Sequence, residues 1–160
     1  MNETPKTPTT EEGSTPPEHT TLLIVDDSSF PLRTFKRAAS MGGITAVTAS
    51  NVSEAYTALV EIGERLAGVF TDMEMPGRYD GLKVADIALA MGVPAEAIVL
   101  NSGSEQNENI TAFLELNPGV TFVTKLDFAS GGIGEKMTAM VARMRAAWNR
   151  PEECDPETTA

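Results

Sequence analysis

One cysteine, one histidine and one tryptophan are all that 160 residues hold of those three types. A lone Cys154 rules out an internal disulfide framework and fits a reducing, cytoplasmic setting. No apolar run approaches the roughly 20 residues of a membrane-spanning helix, so no membrane insertion is expected. The first 20 residues contain no hydrophobic segment, which argues against a secretory signal. Positive charge is scarce too: 12 Lys and Arg stand against 23 Asp and Glu, a formal net charge of −11. Four Glu and one Lys in residues 1–20 contribute −3. Three Glu, one Asp and one Arg in residues 150–160 contribute another −3, leaving −5 for the body between. Such a body is poorly suited to nucleic-acid phosphates and better suited to protein partners or metal ions.

Apolar residues make up 41% of the chain, ordinary for one globular domain with a real core. The ends differ from the middle. Residues 1–19 are rich in Thr, Pro and Glu, and residues 150–160 are similar, so both are expected to be disordered tails around a domain at 20–149. His19, at the edge of the first tail, is expected to be a solvated residue. Between the tails, short runs rich in Val, Ile and Leu predict strands at 21–25, 44–49, 68–71, 97–101 and 120–124. The intervals carry helical signals. Asn51 followed by Glu54 suggests a capping box, with Val52, Ala55, Tyr56, Leu59 and Val60 on one face. Val84, Ile87, Ala88 and Met91 repeat the spacing, as do Met137, Met140, Val141, Met144 and Trp148. Five βα units in succession predict an α/β fold, a parallel sheet with helices on both faces.

Ligands of such sheets bind outside the carboxyl ends of the strands. The first predicted strand runs into Asp26 and Asp27, the third into Asp72, the fourth into Ser102 and the fifth into Lys125. Three carboxylates in one place repel, and a hard divalent cation relieves the repulsion; Mg²⁺ is the usual ion for a small oxygen site completed by a phosphate oxygen. A lysine and a hydroxyl complete a pocket suited to a phosphoryl group. Singly, each residue has an ordinary use as a helix cap, a turn residue or a solvated charge. Their agreement at the ends of four strands is what points to a site.

The segments LLIVDDSSF, VFTDMEMPGRYDG, IVLNSGS and FVTKL resemble the receiver domain of two-component response regulators, from about Thr21 to Trp148. The resemblance implies a flavodoxin-like, doubly wound sheet with strand order 2-1-3-4-5. It also implies a phosphorelay protein of bacterial signalling that takes a phosphoryl group onto Asp72 from a sensor histidine kinase or a histidine phosphotransfer protein. Asp26, Asp27, Asp72 and the backbone carbonyl of Glu74 would hold Mg²⁺, with Asp27 a direct ligand and Asp26 acting through water. Lys125 would pair with the phosphoryl group, Ser102 would sense it, and Phe122 is the aromatic switch position. Output would pass through a surface of the fourth helix, fifth strand and fifth helix to a protein target. The activity expected is self-catalysed phosphotransfer and dephosphorylation, not turnover of another substrate.

Three departures from the family pattern stand out. Leu126 follows Lys125 where Pro is usual, so the Gly-rich segment after it is expected to take an unusual and mobile path. The Pro76 to Asp80 turn is one residue longer, an insertion assigned to Gly77, Arg78 and Tyr79. Ser102-Gly103 stands for the commoner Thr-Ala. The Glu74 side chain projects toward the site, and a carboxylate there is expected to slow attack by water. The phosphorylated protein should then outlast its Glu74→Asn variant once donor is removed; equal or faster decay in the wild type would contradict this. Two other functions compete. A haloacid-dehalogenase-type phosphatase also combines acids, Ser/Thr and Lys, but places its nucleophilic loop before the paired acids. A non-phosphorylated receiver-like binding module is the other.

Overall fold

A computed structural model describes residues 18–75, 77, 79–103 and 107–149. Pro76, Arg78, Cys154 and both expected tails lie outside the described residues, apart from Glu18 and His19. Five strands of the described residues form one parallel sheet: β1 (Thr21–Val25), β2 (Thr45–Ala49), β3 (Leu66–Asp72), β4 (Ile98–Ser102) and β5 (Thr121–Thr124). Their order is β2-β1-β3-β4-β5, as the resemblance implies. Each agrees with its predicted run to within two residues at either end. β1, β3 and β4 are buried along their whole length, which explains why they read as continuous apolar runs rather than alternating ones.

Among the described residues, six α-helices surround the sheet: α1 (Ser29–Met41), α2 (Val52–Ile62), α3 (Asp80–Ala90), α4 (Glu108–Leu116), the short α5 (Lys125–Ala129) and α6 (Ile133–Trp148). The methionine stripe of α6 is core, with Met137, Met140, Val141 and Met144 buried. Met144 lies directly over Gly68 on β3: a Cβ there would come within 2.8 Å of the Met144 Cγ, so the last helix depends on that bare position. Among the described residues, no helix is long and apolar enough to cross a membrane.

Several expectations need correction. On α2 the buried face is Ala55, Ala58, Leu59 and Ile62, whereas Tyr56 and Val60 are exposed. The expected stripe was rotated toward the larger residues, although the small Ala58 is the one that fits against the sheet layer. Met91, just past the end of α3, is also exposed. The capping box is displaced: Asn51 Oδ1 accepts from Glu54 N at 2.8 Å, but Glu54 Oε1 accepts from the Ser50 backbone N–H and hydroxyl, each at 2.8 Å.

His19 is not a solvated tail residue. Its ring stacks on Trp148, centroids 4.3 Å apart and planes at 10°, and its Nδ1–H donates to the Leu66 carbonyl at 2.9 Å. Trp148 Nε1 donates to the next carbonyl, Ala67, at 2.9 Å. The two rings thus close the start of β3 with the two ends of the domain.

The segment after Lys125 also differs from the expected mobile loop. It forms α5, started by Thr124 Oγ1 accepting from Asp127 N at 3.1 Å. Phe128 anchors it in the core against Phe70 and Phe35, at centroid distances of 4.9 and 5.9 Å. At its far end Lys136 Nζ donates to the Asp127 and Ser130 carbonyls. Gly131 and Gly132, both with φ near +60°, then turn the chain into α6. No cis peptide occurs among the described residues, and Leu126 points outward, 79% exposed.

Candidate functional site

All five strands run the same way, so their carboxyl ends share one rim. Asp26 follows β1 directly, Asp72 ends β3, Ser102 ends β4 and Lys125 follows β5. The pairing continues to the rim: Asp72 lies in register with Asn101, and Ser102 with Thr124. Just past Asp72, Met73 N donates to the Asn101 carbonyl at 2.9 Å, which holds the strand end rigidly in place. Gly81, in the first turn of α3, packs against this point. A Cβ on it would overlap the Asp72 carbonyl oxygen and lie 2.6 Å from the Met73 Cα, so α3 approaches only because residue 81 has no side chain.

Asp72 is 2% exposed. Its Oδ1 accepts from Lys125 Nζ at 3.1 Å and from Glu74 N at 3.2 Å. Asp26, also 2% exposed, accepts from Ser28 N at 2.9 Å through Oδ1. Its Oδ2 is buried with no hydrogen-bond partner among the described residues and lies 3.9 Å from Lys125 Nζ. Asp27 sits exposed at the rim. Each of the three aspartates offers an oxygen within 4.8 Å of the others.

Burial raises the Asp72 carboxyl to about 6, and the Asp26 charge adds to the rise against the opposing pull of Lys125. Asp26 is raised as well, chiefly by burial, with its bond from Ser28 N and the Lys125 charge opposing. Burial alone would lower Lys125, but its hydrogen bond to Asp72 and the charges of Asp72, Asp26 and Glu74 outweigh that and leave it above the usual lysine value. Among the described residues, one cation therefore serves three acids. An all-oxygen donor set with excess negative charge and a buried oxygen lacking a partner fits a hard divalent cation such as Mg²⁺.

The remaining predicted residues are placed differently. The Ser102 hydroxyl donates to Glu74 Oε2 at 3.0 Å. Phe122 is half-buried on β5, in register with Leu100 and packed against the core. Two features are not anticipated by the sequence: the grip of the Glu74 side chain, whose Oε1 accepts from Gly103 N at 3.2 Å, and Asn101, whose Oδ1 is buried without a hydrogen-bond partner among the described residues. The Glu74 side chain was expected to project toward the site, but not to bind Ser102 and Gly103. Nothing in the sequence marks the second.

No family model matches the sequence, and no curated protein does. Solved structures do match. A response regulator receiver protein from Sinorhizobium medicae superimposes with a TM-score of 0.62 at 23% identity, over 81% of this chain and 97% of its own. A response regulator receiver domain protein from Clostridium thermocellum gives 0.63 at 20% identity, over 81% and 97%. This chain has the receiver-domain fold. A receiver protein from Pseudomonas putida, with a TM-score of 0.59 at 22% identity over 79% and 96%, agrees. The described receiver fold spans nearly the full length of these three structures and departs from the expected helix count only by the short α5.

Proposed function

We propose that this protein is a response regulator whose Asp72 takes a phosphoryl group from a phosphohistidine of a sensor histidine kinase or a histidine phosphotransfer protein. The observation that carries the reading is a buried carboxylate at the strand rim, 3.1 Å from Lys125 and clustered with two further acids. In the transfer, an Asp72 oxygen bonds to phosphorus while the phosphorus–nitrogen bond breaks and its electron pair stays on the donor imidazole. The product is an acyl phosphate. Lys125 faces the attacking carboxylate and can follow charge onto the phosphoryl oxygens, and the Ser102 hydroxyl is a further donor nearby. Mg²⁺ held by Asp26, Asp27, Asp72 and the Glu74 carbonyl would supply charge neutralisation between carboxylates and phosphoryl group.

The chain acts in this account as a phosphoacceptor, with self-catalysed gain and loss of the phosphoryl group as its only chemistry. A cytoplasmic setting suits that donor. Output passes to a protein target, with Ser102 and Phe122 biasing the surface of α4, β5 and α6, and no nucleic acid takes part. A non-phosphorylated binding module is the second reading, favoured by the side chain of Glu74 already engaging Ser102 and Gly103.

Incubation with Mg²⁺ and acetyl phosphate, followed by intact-mass measurement, separates the two. One phosphoryl adduct is expected on the wild type and none on Asp72→Ala. Absence of any adduct, from acetyl phosphate or from a cognate kinase, would favour the binding module. Rapid turnover of a small phosphoester would instead support a phosphatase.

A further inference from the structure

The proposed transfer assigns no task to the Glu74 carboxylate. Oε2 takes the Ser102 hydroxyl at 3.0 Å and Oε1 takes the Gly103 N–H at 3.2 Å. Both donors stand at the end of β4, the strand beside Asp72. Glu74 is tied to Asp72 as well, because its own N–H donates to Asp72 Oδ1. A carboxylate presents two acceptor oxygens and a negative charge, as a phosphoryl group presents three and a charge of about −1.5 to −2.

We propose that the Glu74 carboxylate is a built-in occupant of the phosphoryl pocket, holding Ser102 and Gly103 until a phosphoryl group on Asp72 displaces it. The inference rests on Asp72 being the phosphoacceptor. The two anions compete for the same donors, and their charges repel at short range. Part of the favourable energy of placing a phosphoryl group is therefore used to break contacts the protein already makes. The unmodified state is held by hydrogen bonds, and displacement of Glu74 becomes a structural event that accompanies phosphorylation. Because Glu74 lies in the segment between β3 and α3, that event moves charge outward on this loop. This loop is joined to α4 by Asn109 Nδ2 donating to Tyr79 Oη at 2.7 Å.

The test uses the full chain with Mg²⁺ and beryllofluoride, a phosphoryl stand-in that adds to an aspartate, and follows backbone amides by NMR. Glu74→Ala should bind beryllofluoride about tenfold more tightly than wild type, the size of one or two net hydrogen bonds. The neutral Glu74→Gln, which keeps the shape and one acceptor, should fall between them. Without beryllofluoride, the Gly103 amide resonance should shift in Glu74→Ala, since that N–H loses its acceptor. Equal affinity in all three proteins, or an unmoved Gly103 amide, would overturn the competition while leaving Asp72 as acceptor. No adduct on the wild type or on either variant would instead overturn the phosphoacceptor reading, and the inference with it.

Discussion

Asp72→Asn is expected to stabilise the fold at pH 7.5 and to leave it nearly unchanged at pH 4. Burial and the neighbouring Asp26 raise the Asp72 carboxyl from 3.8 to about 6 in the folded protein. The folded state therefore holds this proton more tightly than the unfolded state. That preference contributes stability which is fully present below about pH 3.8 and is lost as pH rises through about 6. At neutral pH the wild type folds with a charge in a place that disfavours it, and asparagine removes the charge at almost constant shape. A tenfold change in proton affinity corresponds to about 1.4 kcal/mol, so a gain of about 1–3 kcal/mol at pH 7.5 is expected. Urea midpoints of both proteins at the two pH values measure it. With Mg²⁺ at the proposed site, the gap should narrow, because the ion stabilises the protein that keeps all the proposed ligands over the variant that lacks one. A variant less stable than wild type at pH 7.5 without Mg²⁺ would contradict the reading of a strained acidic cluster.

Lys125→Met is expected to do the opposite to stability and to slow the chemistry. The lysine is the cation shared by Asp72 at 3.1 Å and Asp26 at 3.9 Å, and both carboxylates are almost fully buried. Removing it leaves buried charges without a partner. The Lys125 side chain is itself 36% exposed, so solvent screening limits the loss to about 1–2 kcal/mol at pH 7.5. The loss should shrink at pH 4, where the Asp72 carboxyl, raised to about 6, is protonated. Acceptance of a phosphoryl group should slow roughly a hundredfold, the usual scale for removing one charge-stabilising donor from a transfer site. In a double-mutant cycle, Lys125→Met should cost less stability on an Asp72→Asn background, because the charge it faced is gone. Stopped-flow or mass-resolved phosphorylation rates, with urea midpoints alongside, read both effects. An unchanged rate would remove Lys125 from the mechanism.

The two variants pull stability in opposite directions although they touch one ion pair. Among the described residues, acids outnumber the cation at this rim, so losing an acid relieves the site and losing the lysine aggravates it. This arrangement was legible in the sequence because β1, β3 and β4, buried along their whole length, read as apolar runs, and the strand endings at Asp26, Asp72, Ser102 and, after the half-buried β5, Lys125 project onto one edge. The strand order came from the resemblance, since periodicity alone does not order a sheet. Other features were not legible, each for a physical reason. The buried face of α2 turns on the small Ala58, which hydrophobic weight underrates. His19 has a place because Trp148 and the Leu66 carbonyl offer one, a meeting of residues from opposite ends of the domain. The glycines at 131 and 132 suggested mobility after Lys125, yet Phe128 buries itself against Phe70 and fixes α5. The grip of Glu74 on Ser102 spans 28 residues of sequence and exists only once β3 and β4 are paired.

Everything in this mechanism turns on which oxygen carries the phosphoryl group. Acyl phosphates are reduced by borohydride to an alcohol, which marks the modified aspartate permanently. After treatment with acetyl phosphate and Mg²⁺, reduction and peptide mass mapping should place the mark on Asp72 within the peptide containing VFTDMEM, and on neither Asp26 nor Asp27. A mark on another acid, or no mark on a protein that still folds and binds Mg²⁺, would contradict the assignment of Asp72 as phosphoacceptor.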